Sequence, residues 1–373
     1  MADISSTSLN TLILFVDIIE SSQYSAVLDI HEYAEKVIAF RTLFERLAKI
    51  YFPEFTQEDK ITKYCKINTV GDEGSIFYID PDTEPSEIIF KSIKFAFELK
   101  ARWMLSYSKD KTYKKIKLGI GIHFGKVAIV LNKDNDSSII DGIIGYPINY
   151  AKRIESCSRD GKYSRVFLSK DASFLAEGVT PIIFNKISMT AKGISDNEEM
   201  FEVQSVFFDE MPFKPYEFNH EKFIDFFIEN LNNENIEFFR EPWLKGLIAS
   251  TIDSQALRKT DIQNDYFEKL SKFLWKNITE NDPIILYLRA IECERNNNFT
   301  MMLTILKDII KKFPTFIHAR KKLVNALIGY SSSNISSSEK IIARDIAKEF
   351  INYYPSYITE EERIYFKNII GGD

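Results

Sequence analysis

The chain has 373 residues, 45% apolar and 27% charged, with a formal net charge of −6. At roughly 100–200 residues per domain this predicts two ordinary globular domains, and the acidic balance excludes a broad basic face for nucleic acid. Three cysteines without a CxxC pair and four scattered histidines exclude a disulfide framework and a Cys- or His-built metal centre, which fits reduced thiols in a cytoplasm.

Apolar runs such as Leu12 to Val16 are too short to cross a bilayer. The start, Met1-Ala2-Asp3, lacks the basic residues and apolar stretch of a secretory leader. Residues 11–17 predict a buried strand ending in a carboxylate. A helix follows from about Asp29, with Tyr33, Val37, Phe40, Phe44 and Leu47 on one apolar face. Residues 63–79 predict a hairpin turning at Gly71-Asp72-Glu73-Gly74. A second amphipathic helix covers about Glu84 to Ser106. A long strand follows at 116–131, then a polar turn at Asn132 to Asp136 and a strand near 138–145. A helix from about Pro147 to Cys157 comes next, with strands near 164–169 and 199–205. This order predicts an α+β domain over 10–205. A helical linker region is expected over 206–280 and an all-α domain over 281–373. There Pro283 and Pro314 stand 31 residues apart, close to a tetratricopeptide period. A degenerate repeat and a plain helical bundle both fit that segment.

Four segments carry candidate chemistry: Phe15 to Ser22, Asn68 to Gly74, Leu118 to Gly125 and Gly145 to Ser156. Asp17 alone reads as a cap and Asp72 alone as a turn residue. If the hairpin pairs beside the first strand, however, the two carboxylates share one end of the sheet. They would then repel unless a hard divalent cation lay between them. Asn149 and Arg153 are four apart on a predicted helix and so share a face. An amide and a guanidinium there suit a ribose oxygen and a phosphoryl oxygen; alone, the pair would read as a solvated face.

Together, the order and spacing of these blocks resemble the class III nucleotidyl cyclases, the adenylyl and guanylyl cyclase catalytic domains, over about residues 10–205. The resemblance implies a ferredoxin-like core. It implies two magnesium or manganese ions per site, held by Asp17, Asp72 and the Ile18 backbone carbonyl. Asn149 and Arg153 match the family's transition-state residues, and Lys192 matches a triphosphate-binding lysine. The implied reaction is attack of the ribose 3′-hydroxyl of a nucleoside triphosphate on its α-phosphorus, with loss of pyrophosphate. In the family the metal carboxylates and the Asn/Arg pair come from opposite subunits. A C2 homodimer with two composite sites is therefore expected, with the monomer inactive.

The family reads its purine with two side chains, at the positions held here by Asn68 and Gly142. Neither the lysine–aspartate pair of adenylyl cyclases nor the glutamate–cysteine pair of guanylyl cyclases is present. Asn68 offers both a donor and an acceptor, and the pattern is similar to the pyrimidine cyclases of bacterial anti-phage defence, which also carry a C-terminal helical domain. That resemblance implies a substrate of UTP or CTP, with UTP favoured, and a helical domain that detects an activating ligand or protein. An adenylyl cyclase with an atypical base pocket, and a non-catalytic sensor or scaffold, are the competing readings. His123, Cys65 and Cys157 are expected to be packing residues, and Glu73 a turn residue. The lysines from Lys109 to Lys117 are expected to form a solvated charge run.

Overall fold

The computed structural model describes residues 3–52, 64–106, 117–134, 137–177, 182–189, 198–206, 282–314, 316–329, 337–353 and 358–371. The chain divides into two compact units, 1–247 and 248–373. Apart from Val206, the linker expected over 206–280 lies outside the described residues, as does most of the lysine run.

The first unit is built on β1 (Asp3–Ile18), β2 (Tyr64–Val70), β3 (Glu73–Ile79), β4 (Leu118–Asp134), β5 (Ser137–Ile144), β6 (Val166–Ser169), β7 (Ile182–Met189) and β8 (Glu198–Val206). They form one mixed sheet in the order β2-β3-β1-β4-β6-β8-β7, with β5 also pairing to β4. The helices of this unit are α1 (Ser21–Val27), α2 (Ile30–Tyr51), α3 (Pro85–Ser106), α4 (Tyr146–Cys157) and α5 (Lys170–Glu177). The run β4-β1-β3-β2 is antiparallel throughout. With α2 and α3 as crossovers, that is the order of a split βαββαβ unit, as expected.

The apolar run at the end of β1 is continuous because helices cover both faces of the sheet. Ile13 and Phe15 pack with Phe77, Ile79, Val127, Ile129 and Ala151 of α4. The alternate residues Leu12, Leu14 and Val16, also fully buried, point to the other face. On that face Gly74 meets Phe44 of α2, and Phe44 packs edge-on to Phe95 of α3 at 5.8 Å. Burying each such ring contributes roughly 2–3 kcal/mol.

Two elements differ from expectation. The polar segment at 132–134 continues β4, with Asn132 opposite Ile139 and Asp134 opposite Ser137. Backbone pairing outweighs side-chain polarity there. Glu73, expected in the turn, is the first residue of β3 and stands opposite Asp17 and Val70.

The second unit contains α6 (Pro283–Arg295), α7 (Phe299–Lys312), α8 (Ile317–Gly329), α9 (Ser337–Tyr353) and α10 (Glu360–Gly371). Each packs on the next in chain order. Asp282 caps α6 by accepting from the Ile284 N–H at 3.0 Å, with Pro283 at the first helical position. Among the described residues, no helix is long and apolar enough to cross a membrane.

Candidate active site

The Asp72 turn is a two-residue loop between β2 and β3. Gly71, at its first central position, has φ 61°, where a side chain would be strained and glycine is not. The turn is held from α2: Arg41 donates from Nε to the Gly71 carbonyl at 2.7 Å, and Thr69 donates to Glu45 at 2.9 Å. Close contact of Gly74 with Phe44 adds a third hold.

Asp17 lies one residue from the end of β1, buried, with Glu73 and Gly119 as its cross-strand neighbours. Burial first, then the Asp72 carboxylate, raise its pKa above the usual carboxylate range; Lys152 and Arg159 act in the opposite sense. The Asp72 turn therefore lies within electrostatic reach of Asp17 at one end of the sheet. The same two carboxylates raise the Tyr33 phenol, after burial. Ile18 is buried at the strand end. Its neighbour Ile19 donates its N–H to the Lys117 carbonyl at 2.9 Å.

Helix α4 approaches the sheet over glycines. A Cβ on Gly121 would come within 2.3 Å of the Glu155 nitrogen, and one on Gly119 within 2.0 Å of Ser158 Oγ. Tyr150, Ala151, Ile154, Glu155 and Cys157 form the buried face of α4. Asn149 is exposed and Arg153 partly so, on another face. Lys152 and Arg159 are cations that act on Asp17. Arg159 Nη2 lies 3.2 Å from Asp17 Oδ2.

Asn68 is half-buried in β2 opposite Ser75, and Gly142 lies in β5 opposite Val130, beside an irregularity in the β4–β5 pairing. Lys192 lies outside the described residues.

His123 is buried. Its Nδ1 lies 2.9 Å from Ser169 Oγ, and its ring stands edge-on to Tyr150 at 4.9 Å. Burial lowers its pKa to about 4.

Sequence reasoning missed the charged set behind the carboxylates. Lys152 Nζ lies 2.5 Å from Glu73 and 2.8 Å from Glu155. Burial raises Glu155 to a pKa of about 7 against the pull of Lys152. The spacing Lys152, Glu155, Arg159, at three and four, was the available signal.

Among the described residues no group of three or more His, Cys, Asp and Glu side chains forms a metal cage. A buried carboxylate within electrostatic reach of a second one suits the other arrangement, a hard divalent ion held by one or two carboxylates and completed by substrate phosphates.

A family model described as the adenylate and guanylate cyclase catalytic domain matches residues 5–201. No curated protein matches the chain. Among solved structures, the adenylyl cyclase CyaB from P. aeruginosa is 17% identical, with 53% of this chain and 95% of that chain covered and a TM-score of 0.43. The guanylyl cyclase Cya2 is 17% identical, with 57% and 98% covered and a TM-score of 0.40. The guanylate cyclase domain of RhGC from Catenaria anguillulae, in complex with GTP, is 17% identical, with 53% and 97% covered and a TM-score of 0.38.

Proposed function

This chain belongs to the family of adenylate and guanylate cyclase catalytic domains, and on that premise we propose that it converts a pyrimidine nucleoside triphosphate, UTP before CTP, to the 3′,5′-cyclic mononucleotide and pyrophosphate. The observation that supports the cyclase reading is the electrostatic influence of Asp72, in the β2–β3 turn, on Asp17 near the end of β1. Asp17, Asp72 and the Ile18 carbonyl would hold magnesium or manganese. Two such ions would supply a lowered pKa for the 3′-hydroxyl and charge neutralisation for the departing pyrophosphate.

Asn149 orients the ribose, and Arg153 donates to the α-phosphoryl oxygens as charge develops on them. Lys192 binds the triphosphate. Asn149 and Arg153 serve the site of a partner subunit in a C2 homodimer, a reading that suits their place off the buried face of α4. Ile144 and Tyr146 are more than half exposed where β5 leads into α4, and a subunit contact would cover them.

Asn68 reads the pyrimidine edge. It has a donor and an acceptor, and Gly142 brings no side chain that could select a purine. We place the protein in the cytoplasm as a second-messenger synthase of bacterial anti-phage defence, with the repeat-like helices of the second unit as the signal detector.

Purified protein incubated with each of the four common NTPs and manganese, with products identified by mass spectrometry, tests the substrate. Cyclic UMP, or cyclic CMP in second place, is expected. Cyclic AMP alone would defeat the pyrimidine assignment, and no product with or without infected-cell extract would defeat the enzyme assignment.

A further inference from the structure

Lys152 makes contacts on three elements. On β3 its ammonium meets Glu73 at 2.5 Å, and on α4 it meets Glu155 at 2.8 Å. It also lies 5.5 Å above the ring of Phe15 in β1. Glu73 immediately follows Asp72 and stands opposite Asp17 in the β1–β3 register. Glu155 is buried on α4, two residues after Arg153, and its Oε1 has no hydrogen-bond partner among the described residues. A buried carboxylate left half satisfied is costly. The ammonium that partners its other oxygen is therefore an anchor for the helix as well as for the hairpin.

The glycine contacts beneath α4 set its distance from the sheet. An ion pair reaching across to the Asp72 turn opposes the remaining freedom, sliding and rotation of the helix over that surface. Surface ion pairs contribute little because both side chains must be ordered for a screened attraction. This one shares its ammonium with the fully buried Glu155 of the same helix, and its own side chains are 36% and 33% exposed, so it is screened less than a fully exposed pair.

We propose that Lys152 is a positioning residue. It locks the Asp17/Asp72 half-site of a subunit to the helix that carries Asn149 and Arg153, so that both halves move as one body. The inference rests on the composite-site reading above and deepens it. In a two-fold dimer the two halves of one subunit serve different reaction centres. Lys152 therefore supports both centres, one through the hairpin and one through α4.

Full-length chains bearing two different affinity tags, co-expressed and purified through both tags, provide the test. One chain carries Asp72→Asn and the other Arg153→Ala. Their heterodimer holds a single intact centre, built from the metal half of the second chain and the Asn/Arg half of the first. Activity from this pair, with each variant inactive alone, establishes the composite reading. Lys152→Met is then added to one chain or the other. Placed on either chain, it should lower kcat about tenfold, the scale of a small misplacement of reacting groups. The NTP KM and the melting temperature should stay nearly constant, and Lys152→Arg should recover most of the loss. Glu73→Gln, which removes one contact and keeps the buried one, should behave the same way if Lys152→Met folds poorly.

An unchanged kcat, or a loss confined to one of the two placements, overturns the inference and leaves the composite reading standing. A parent heterodimer with no activity overturns the composite reading, and the inference with it.

Discussion

Asp17 is held in its site at a cost. Its carboxyl is pushed upward by burial and by Asp72. A group whose folded-state pKa is raised favours the fold below its unfolded-state pKa and loses that contribution as pH rises through the folded value. At neutral pH it therefore works against the metal-free fold. Asp17→Asn should raise the melting temperature in EDTA, while abolishing turnover and the rise that manganese is expected to give the native protein. Thermal scans with and without manganese read both effects. His123 has the opposite sign. Its folded-state pKa is lowered to about 4 from 6.5, so its contribution is complete above pH 6.5 and is lost as pH falls toward 4. At pH 5 the loss is about 2 kcal/mol. Urea titrations at pH 7 and pH 5 should show His123→Gln losing less stability across that interval than the native chain.

Among the elements, α4 depends most on what lies beneath it. Gly121→Ala would drive a methyl to 2.3 Å from the Glu155 nitrogen and 2.8 Å from the Ala151 carbonyl. Both neighbours are backbone atoms, so the helix must move. A loss of about 2–3 kcal/mol is expected, the scale of an overpacked core. Gly142→Ala, with nothing within 4 Å of its Cβ, should leave stability near the native value by the same urea titration.

The sequence showed this helix, the hairpin and the end of β1, because each carries an apolar periodicity or a Gly-Asp turn. It did not show Asp3–Leu9 as strand. That half of β1 is rich in serine and threonine, and is defined by its backbone register with Val127–Lys133 of β4. Helices α1 and α5, of seven and eight residues, are too short for a periodicity to stand out, and β7 was not read either. The Lys152 network was hidden for another reason. Glu73 and Lys152 lie 79 residues apart, and only the strand order brings them together. Apart from Lys192, the candidate site residues were picked out chiefly because they fall inside four motifs whose spacing resembles a known family. Neither strand periodicity nor composition singles out Asn149 or Asn68.

At the scale of the molecule, the two units have separate cores. The first centres on β1, β4 and the aromatic contacts between α2 and α3. The second has fully buried Met302, Leu306, Ile309, Phe316 and Phe350 among its helices. Phe316, packed against Tyr287 at 5.2 Å, should cost about 3–5 kcal/mol as Phe316→Ala. Calorimetry of the full chain is expected to show the variant lowering the transition in which the second unit melts.

The hairpin that presents Asp72 is fixed by Gly71, by Arg41, by the Thr69–Glu45 contact and by the seating of Gly74 on Phe44. Asn68, three residues before that glycine, is none of these. A lineage could therefore exchange the residue assigned to the base without disturbing the turn that carries the acid. Diversification of the nucleobase would then be open to single substitutions, while the phosphate chemistry stayed under constant selection.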